Sequence, residues 1–147
     1  MGAMTPPSRK SCYNFRVTEI NRVLDGDTID VAINLGFDLF KKERVRLAGI
    51  DTPESRTRDP EEKTLGLEAK DRLTEMLENA SSLVCRTEKE GKYGRILGWI
   101  HADGAETTLN QTLIDTGYAW AYEGGKKNKS HEDFKALYDI RYKAPAK

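Results

Sequence analysis

The stretch that decides the fold is Asp25-Gly26-Asp27-Thr28-Ile29-Asp30-Val31-Ala32-Ile33-Asn34-Leu35. It opens with an Asp-Gly dipeptide, which favours positive φ in a tight hairpin turn. The odd-numbered residues from Ile29 to Leu35 are then apolar and alternate with polar or small ones, which is the period of a strand with one buried face. The stretch therefore predicts a turn and a strand, with Asp27 on the Ile29 face at the strand's mouth, where its carboxylate can meet solvent or a metal.

Two further strands are predicted on either side of this one. Residues 15–24 mix apolar and polar side chains at uneven spacing, which indicates a strand that is bent or bulged. Residues 36–42 are expected to form a somewhat apolar loop of unassigned role, and residues 44–50 a third strand. Pro53 cannot continue a ladder of hydrogen bonds, so the chain is expected to leave the sheet there.

A long helix is predicted after this sheet, because residues 65–79 carry apolar side chains at helical spacing. Where it begins is ambiguous. Asp59-Pro60-Glu61-Glu62 resembles a capping box with proline at the first helical position, whereas Gly66 favours a later start near Thr64.

The rest of the chain completes a mainly β pattern. Residues 83–88 and 96–100 predict two more short strands, Gly117 ends a short second helix, and Ser130 with Asp133 can cap a third. Many turn signals between short strands favour a closed barrel over a βαβ arrangement. The predicted class is therefore α+β, mainly β, with a five-stranded barrel and three peripheral helices.

A single domain is expected from the length of 147 residues, and we place it at 13–143 between a disordered arm at 1–12 and a tail at 144–147. The arm begins Met1-Gly2-Ala3-Met4, which resembles a cloning scar, so both secretion with a removed signal peptide and a cytoplasmic location stay open. No run approaches the roughly 18 apolar residues of a membrane span, and we expect a monomer with no membrane partner.

Charge and cysteine content exclude some classes of function. The chain has 24 basic and 24 acidic residues, so no global positive field marks it as a nucleic-acid binder. Cys12 and Cys85 are widely separated, which argues against a zinc site or a disulfide framework. Cys85 lies in an apolar run and is interpreted as a core residue, while Cys12 is expected to be exposed.

The most informative segment for function is Arg46-Leu47-Ala48-Gly49-Ile50-Asp51-Thr52-Pro53-Glu54. It delivers two carboxylates and an arginine to the end of one predicted strand. Ionised Asp51 and Glu54 only accept hydrogen bonds and suit a hard cation or a water proton, whereas Arg46 is a planar donor fork that matches phosphate oxygens. The segment therefore indicates a site that handles a phosphodiester.

Taken in order, four motifs resemble the staphylococcal nuclease, or thermonuclease, family. They are Asp25-Gly26-Asp27-Thr28, the segment from Arg46 to Glu54, Tyr93-Gly94-Arg95 and Ser130-His131-Glu132, and they span most of the chain. The resemblance implies an OB-fold barrel that hydrolyses DNA or RNA without regard to the sugar and leaves a 3′-phosphate and a 5′-hydroxyl. The chain departs from the family's pattern at Glu90-Gly91-Lys92, where an aspartate is common.

One calcium ion is implied by the resemblance, with Asp27, Asp51 and the backbone carbonyl of Thr52 as its ligands. Calcium takes six to eight oxygen ligands, so this set leaves places for water and a phosphate oxygen. Without a cation, two carboxylates about 4 Å apart repel by roughly 4 kcal/mol at an effective dielectric near 20, which also favours an occupied site.

The resemblance also implies the catalytic and substrate-binding groups. Arg46 and Arg95 would donate to the scissile phosphate, and Glu54 would position or deprotonate the attacking water. Lys92 and Tyr93 would border the nucleotide pocket. In phosphoryl transfer, positioning and charge stabilisation supply most of the catalysis, which agrees with this choice of residues.

Several interpretations stay open at this point. Tyr118, Trp120 and Tyr122 can stack on bases or close the barrel; we assign Trp120 to the core and give Tyr122 a mixed role that includes substrate binding. The lysine-rich tract at 124–129 can steer a polyanion or be a solvated loop. The alternatives to a nuclease are an inactive OB-type module that binds nucleic acid or protein, and a structural calcium-binding module.

Overall fold

The computed structural model describes residues 13–90, 96–125 and 130–142 of the chain. The predicted arm at 1–12 and the tail at 144–147 lie outside these residues. Within them the elements are β1 (Tyr13–Asp25), β2 (Thr28–Gly36), β3 (Leu39–Leu47), β4 (Ile50–Asp51), α1 (Pro60–Asn79), β5 (Leu83–Glu90), β6 (Ile96–Ala102), α2 (Leu109–Asp115), β7 (Trp120–Ala121) and α3 (His131–Tyr142).

Five of these strands form a closed barrel in the order β1-β2-β3-β6-β5. The neighbours are antiparallel except for β3 and β6, which pair in parallel and close the barrel. The predicted fold class is confirmed, with three helices outside the barrel in the described residues. The short antiparallel pair of β4 and β7 is an addition that the sequence pattern did not predict.

The uneven apolar spacing of β1 has a structural cause. Its register against β2 shifts between Val17 and Glu19, between Ile20 and Arg22, and again after Val23. Each bulge adds one residue to β1, so side chains three apart in sequence all point into the barrel. The predicted bulged strand is therefore confirmed.

The interior of the barrel is apolar and continuous with one face of α1. Its buried members include Val17, Ile29, Val31, Ile33, Val45, Leu47, Leu73, Leu77, Cys85 and Ile100. Cys85 is a buried free thiol, as the sequence predicted.

The prediction of a loop at residues 36–42 is wrong. The chain turns at Phe37 and Asp38, whose φ angles are 53° and 59°, and Leu39 already pairs with Gly36 in the ladder. Positive φ at both central residues is the two-residue turn that matches the twist of a hairpin, and a phenylalanine gave no signal for it. The hairpin thus extends away from the barrel, and for that reason Leu35 is 41% exposed despite its place in the apolar alternation.

The third strand also ends earlier than predicted. The barrel strand β3 stops at Leu47, the chain bends through Gly49 with a φ of 77°, and Ile50–Asp51 then pairs with β7 instead. The Asp51 carboxylate is therefore carried by a separate short strand.

The helix α1 begins at Pro60, and the predicted later start near Thr64 is wrong. Asp59 caps it by accepting a hydrogen bond from the Glu61 N–H at 3.0 Å. Gly66 lies inside the helix for a packing reason, because a Cβ there would stand 2.4 Å from the backbone carbon and oxygen of Glu54. The glycine marks a close contact and not a helix end.

The two shorter helices match their predicted signals. Thr108 caps α2, which ends before Gly117, and Ser130 and Asp133 cap α3 reciprocally, with Asp133 N donating to Ser130 Oγ at 3.1 Å and Ser130 N to Asp133 Oδ2 at 3.0 Å. Among the described helices, none has the length and apolar character needed to span a membrane.

Candidate active site

A cleft of about 140 Å³ opens where the β1–β2 turn, the end of β3 and the segment after β4 meet. It contains the groups that the sequence assigned to a phosphodiester site. Its lining consists of Asp25, Asp27, Thr28, Arg46, Asp51, Thr52, Pro53 and Glu54.

The hairpin of β2 and β3 brings the first half of the cleft together. Thr28 pairs with Arg46 across the ladder, and the Leu47 N–H donates to the Asp27 carbonyl at 2.7 Å. The alternation that buries Ile29 and Val45 inside the barrel therefore leaves Arg46 on the outer side, facing the turn that carries Asp27.

A buried asparagine fixes the segment that leads to Asp51. Asn110 Nδ2 donates to the carbonyls of Ala48 at 2.8 Å and Gly98 at 3.0 Å, and its Oδ1 accepts from Ile100 N at 3.1 Å. These bonds tie the chain after β3 to β6. Nothing in the sequence marks Asn110 as different from an ordinary helix residue.

Asp27 accepts three hydrogen bonds or ion-pair contacts through its carboxylate. Thr28 Oγ1 donates to Oδ1 at 2.9 Å, while Thr52 N at 3.2 Å and Arg46 Nη1 at 3.1 Å approach Oδ2. A carboxylate offers about four acceptor sites, so the side chain is held firmly and still has one acceptor site for a ligand.

Arg46 lies between the two aspartates proposed as metal ligands. Besides the contact to Asp27, its Nη2 is 3.7 Å from Asp51 Oδ1, and its Nη1 donates to the Leu47 carbonyl at 3.3 Å. The residue is buried, so its guanidinium is oriented before a substrate arrives. A planar fork fixed in this way is suited to bind a phosphate in a defined orientation.

Glu54 is an exposed residue that lines the cleft, while its backbone is anchored to α1. The Glu54 N–H donates to Glu62 Oε2 at 3.2 Å, and the backbone of Glu54 packs directly on Gly66. Helix α1 therefore sets where Glu54 stands relative to Arg46.

The predicted role of Glu62 in a capping box is wrong. Glu62 was expected to complete a capping box with Asp59, but its side chain is buried at 5% exposure and accepts from Glu54 instead. Asp25 has a similar supporting role, because its Oδ1 accepts from the hydroxyl and the N–H of Ser55. A buried acid in the first turn of a helix leaves no periodic signal, and Asp25 was interpreted only as a turn residue.

The other predicted site residues are placed less completely. Arg95, Lys92 and Tyr93 lie outside the described residues. Tyr122 is half-buried and is not among the residues that line the cleft, although its N–H donates to the Gly49 carbonyl at 2.8 Å and its hydroxyl to Gly125 at 2.9 Å. Trp120 packs against Phe134 with ring centroids 6.1 Å apart and donates to the Asp133 carbonyl, in keeping with a packing role.

The donor atoms of the cleft fit a hard divalent cation. Four carboxylates and one guanidinium line it, a formal charge of minus three, and oxygen donors of this kind are those that calcium prefers. The buried hydroxyl oxygen of Thr52 has no hydrogen-bond partner within the described residues, so it could bond to an ordered water or coordinate a cation. In that same part of the chain, no three His, Cys, Asp or Glu side chains are grouped as a self-sufficient metal site.

Comparison with known proteins gives consistent matches. Residues 44–146 match the family model described as staphylococcal nuclease homologue. Micrococcal nuclease of Shigella flexneri is 40% identical over 112 residues, which are 71% of this chain and 57% of that protein. Endonuclease YncB of Bacillus subtilis is 33% identical over 131 residues, which are 85% of this chain and 58% of that protein. The chain thus spans a little more than half the length of these relatives.

Proposed function

Because the chain belongs to the staphylococcal nuclease family, we propose that it is a calcium-dependent, sugar-nonspecific nuclease. It hydrolyses phosphodiester bonds of DNA or RNA and leaves a 3′-phosphate and a 5′-hydroxyl. The observation that carries the proposal is Arg46, held between Asp27 and Asp51 in a cleft that Glu54 also lines.

Arg46 binds and orients the phosphate in this account. Its N–H groups donate to the non-bridging oxygens, whose negative charge increases as water adds to phosphorus. A donor that is already fixed by burial and by two carboxylates needs no reorganisation during the reaction. By family resemblance, Arg95 is proposed as a second donor to the same phosphate.

Glu54 handles the proton of the attacking water. The residue is exposed and lines the cleft, so a water molecule can reach it, and its backbone N–H donates to Glu62. As the water oxygen bonds to phosphorus, Glu54 accepts the proton and the bond from phosphorus to the 5′ oxygen breaks. The leaving oxygen takes a proton from solvent, which completes the 5′-hydroxyl.

Asp27, Asp51 and Thr52 would hold the calcium ion. When bound, the ion supplies positive charge next to the phosphate and offsets the negative charge of the lining. The chain's own contribution is to keep the two carboxylates in place, through the Thr28 hydroxyl, the Thr52 N–H and Arg46.

One assay tests the proposal. The protein is incubated with single-stranded DNA, duplex DNA and RNA, with calcium or with excess chelator, and the ends of the products are analysed. We expect cleavage only with calcium, with 3′-phosphate ends. Undiminished cleavage in chelator would refute the metal role, 3′-hydroxyl ends would refute the bond assigned, and binding without any cleavage would favour an inactive OB-type module.

A further inference from the structure

The strand β3 carries a row of outward-facing side chains that leads away from the cleft. Side chains alternate along a strand, so Phe40, Lys42 and Arg44 share the face of Arg46. The register against β2 is unbroken from Thr28–Arg46 to Asn34–Phe40, so no bulge changes this alternation. The row therefore begins at the cleft arginine and ends at an aromatic ring near the tip of the hairpin.

Neighbouring strands add more cations to the same face. Residues opposite each other in an antiparallel ladder point to the same side. Arg22 of β1 pairs with Asp30 of β2, which pairs with Arg44 of β3. In the same way, Arg16 pairs with Asn34, which pairs with Phe40. We call this surface the β1–β3 outer face. Its members are Arg16, Glu19, Arg22, Asp30, Ala32, Asn34, Phe40, Lys42 and Arg44.

The β1–β3 outer face has a local surplus of positive charge in a chain with no net charge. It carries four cations and two carboxylates. Asp30 is neutralised by Arg44, whose Nε and Nη2 lie 2.7 and 3.0 Å from its oxygens. The hydrogen bond from Arg44 lowers the pKa of Asp30, and the charge of Arg22 contributes, which agrees with their place on one face.

The surface is also accessible and includes an aromatic ring. Phe40 is 59% exposed, and Arg16, Arg22 and Lys42 are exposed as well. Side chains on one face of a strand are two residues apart and therefore about 6.6 to 6.8 Å apart, because a strand rises roughly 3.3 to 3.4 Å per residue. This spacing resembles that of the phosphates in an extended single strand.

We propose that the β1–β3 outer face is a binding track for single-stranded nucleic acid, continuous with the cleft. In this track Arg22 and Lys42 bind phosphates, and an unpaired base stacks on Phe40. A positively charged surface with an aromatic platform is how proteins bind single strands without sequence preference. The inference rests on the proposed function, because it extends the substrate path of the same cleft.

The opposite face of β3 offers matched controls. Lys41 and Leu39 lie next to Lys42 and Phe40 in sequence but point to the other side of the strand, where Lys41 pairs with Glu43. Lys42→Ala and Phe40→Ala are therefore compared with Lys41→Ala and Leu39→Ala. All four positions are exposed, and circular dichroism checks that each variant is folded.

Binding is measured first, by fluorescence anisotropy of a labelled oligothymidylate in chelator, so that no cleavage occurs. We expect Kd to rise by about five- to tenfold or more for Phe40→Ala, in line with the loss of one base stack. For Lys42→Ala the slope of log Kd against log salt should fall by about 0.7, the value for one phosphate contact with a single strand. The two control variants should bind like the wild type.

Steady-state kinetics distinguish binding along the track from chemistry in the cleft. On a long oligonucleotide with calcium, KM should rise for the two track variants while kcat is retained, and on a dinucleotide, which reaches only the cleft, neither should change. If the wild type cleaves and the track variants match the controls, the track is refuted and the proposed function stands. If no protein cleaves but the binding differences are found, the proposed function fails and the track stands.

Two further probes test the choice of ligand. A duplex of equal length should lose less affinity than the single strand in Phe40→Ala, and an equal loss would overturn the assignment to unpaired bases. Vesicles containing phosphatidylserine should not bind to this face. If Phe40→Ala abolishes vesicle binding and leaves oligonucleotide binding intact, the face is a lipid-binding surface and the inference is wrong.

Discussion

Arg46 and Asp27 form a buried ion pair, with Nη1 of the arginine 3.1 Å from Oδ2 of the aspartate, at the mouth of the barrel. The same guanidinium reaches Asp51 at 3.7 Å. The residue proposed to bind phosphate thus also forms ion pairs with the two carboxylates proposed to bind calcium. Arg46 should therefore affect stability as well as catalysis.

Replacing Arg46 with alanine tests both roles. We expect turnover of DNA to fall by at least about a hundredfold, the usual effect of losing a fixed transition-state donor. The free energy of unfolding in chelator should fall by about 1 to 3 kcal/mol, because buried acceptors lose their donor. Initial rates and urea denaturation measure these effects. A near-wild-type rate would remove Arg46 from catalysis.

Glu62 is predicted to act as a positioning residue for Glu54. Glu62→Ala removes the acceptor of the Glu54 N–H and should lower kcat by about tenfold with little change in KM, since misplacement of a catalytic group can cost up to about a hundredfold. Glu62→Gln keeps an acceptor oxygen and should retain most of the activity. Glu61→Ala, at an exposed neighbouring position, is the control, and equal kcat values in all three variants would argue against this role.

Gly66→Ala should destabilise the protein although it improves helix propensity. Alanine in a helix is normally favoured over glycine by about 1 kcal/mol. Here its Cβ would lie 2.4 Å from the Glu54 backbone, so we expect a net loss of about 1 to 3 kcal/mol and a displaced Glu54. Urea denaturation and kcat are the measurements, with Lys63→Ala on the exposed face as control. A stabilised, fully active variant would contradict the packing described.

Cys85 should make the fold sensitive to alkaline pH. Burial raises the pKa of its thiol from 9.0 to about 12, so above pH 9 the unfolded chain ionises while the folded chain keeps its proton. The contribution of the protonated thiol to the free energy of unfolding should be fully present below pH 9. The free energy of unfolding should then fall by up to about 1.4 kcal/mol per pH unit as pH rises towards 12. Urea denaturation from pH 8 to 11 checks this in a Cys12→Ser background. Adding Cys85→Ala should flatten the curve, and an unchanged slope would refute the assignment.

The alternation from Ile29 to Ile33 was enough to predict a barrel strand, and the motif around Asp51 predicted the cleft. Both depend on local periodicity or on residue chemistry, which a sequence displays directly. The turn at Phe37 and Asp38 was missed because its backbone conformation is set by the pairing of the two strands.

The supporting groups of the site could not be predicted for a different reason. Glu62 and Gly66 lie in α1, and their roles exist only because the helix packs on Glu54. Asn110 likewise acts through carbonyls of Ala48 and Gly98, far away in sequence. Contacts of this kind have no periodic signature along the chain.

The central claim is that the cleft cleaves phosphodiesters with a cation held by Asp51. The most direct test is the initial rate at which Asp51→Asn cleaves a labelled single-stranded oligonucleotide in saturating calcium, next to the wild type. Asp71→Asn, on the exposed side of α1, is the matched control. We predict that the initial rate of Asp51→Asn is at least about a hundredfold lower than that of the wild type, because changes in the surroundings of a metal ligand already cost up to about a hundredfold in activity. Asp71→Asn should cleave at the wild-type rate. A rate for Asp51→Asn equal to that of the wild type would contradict the account.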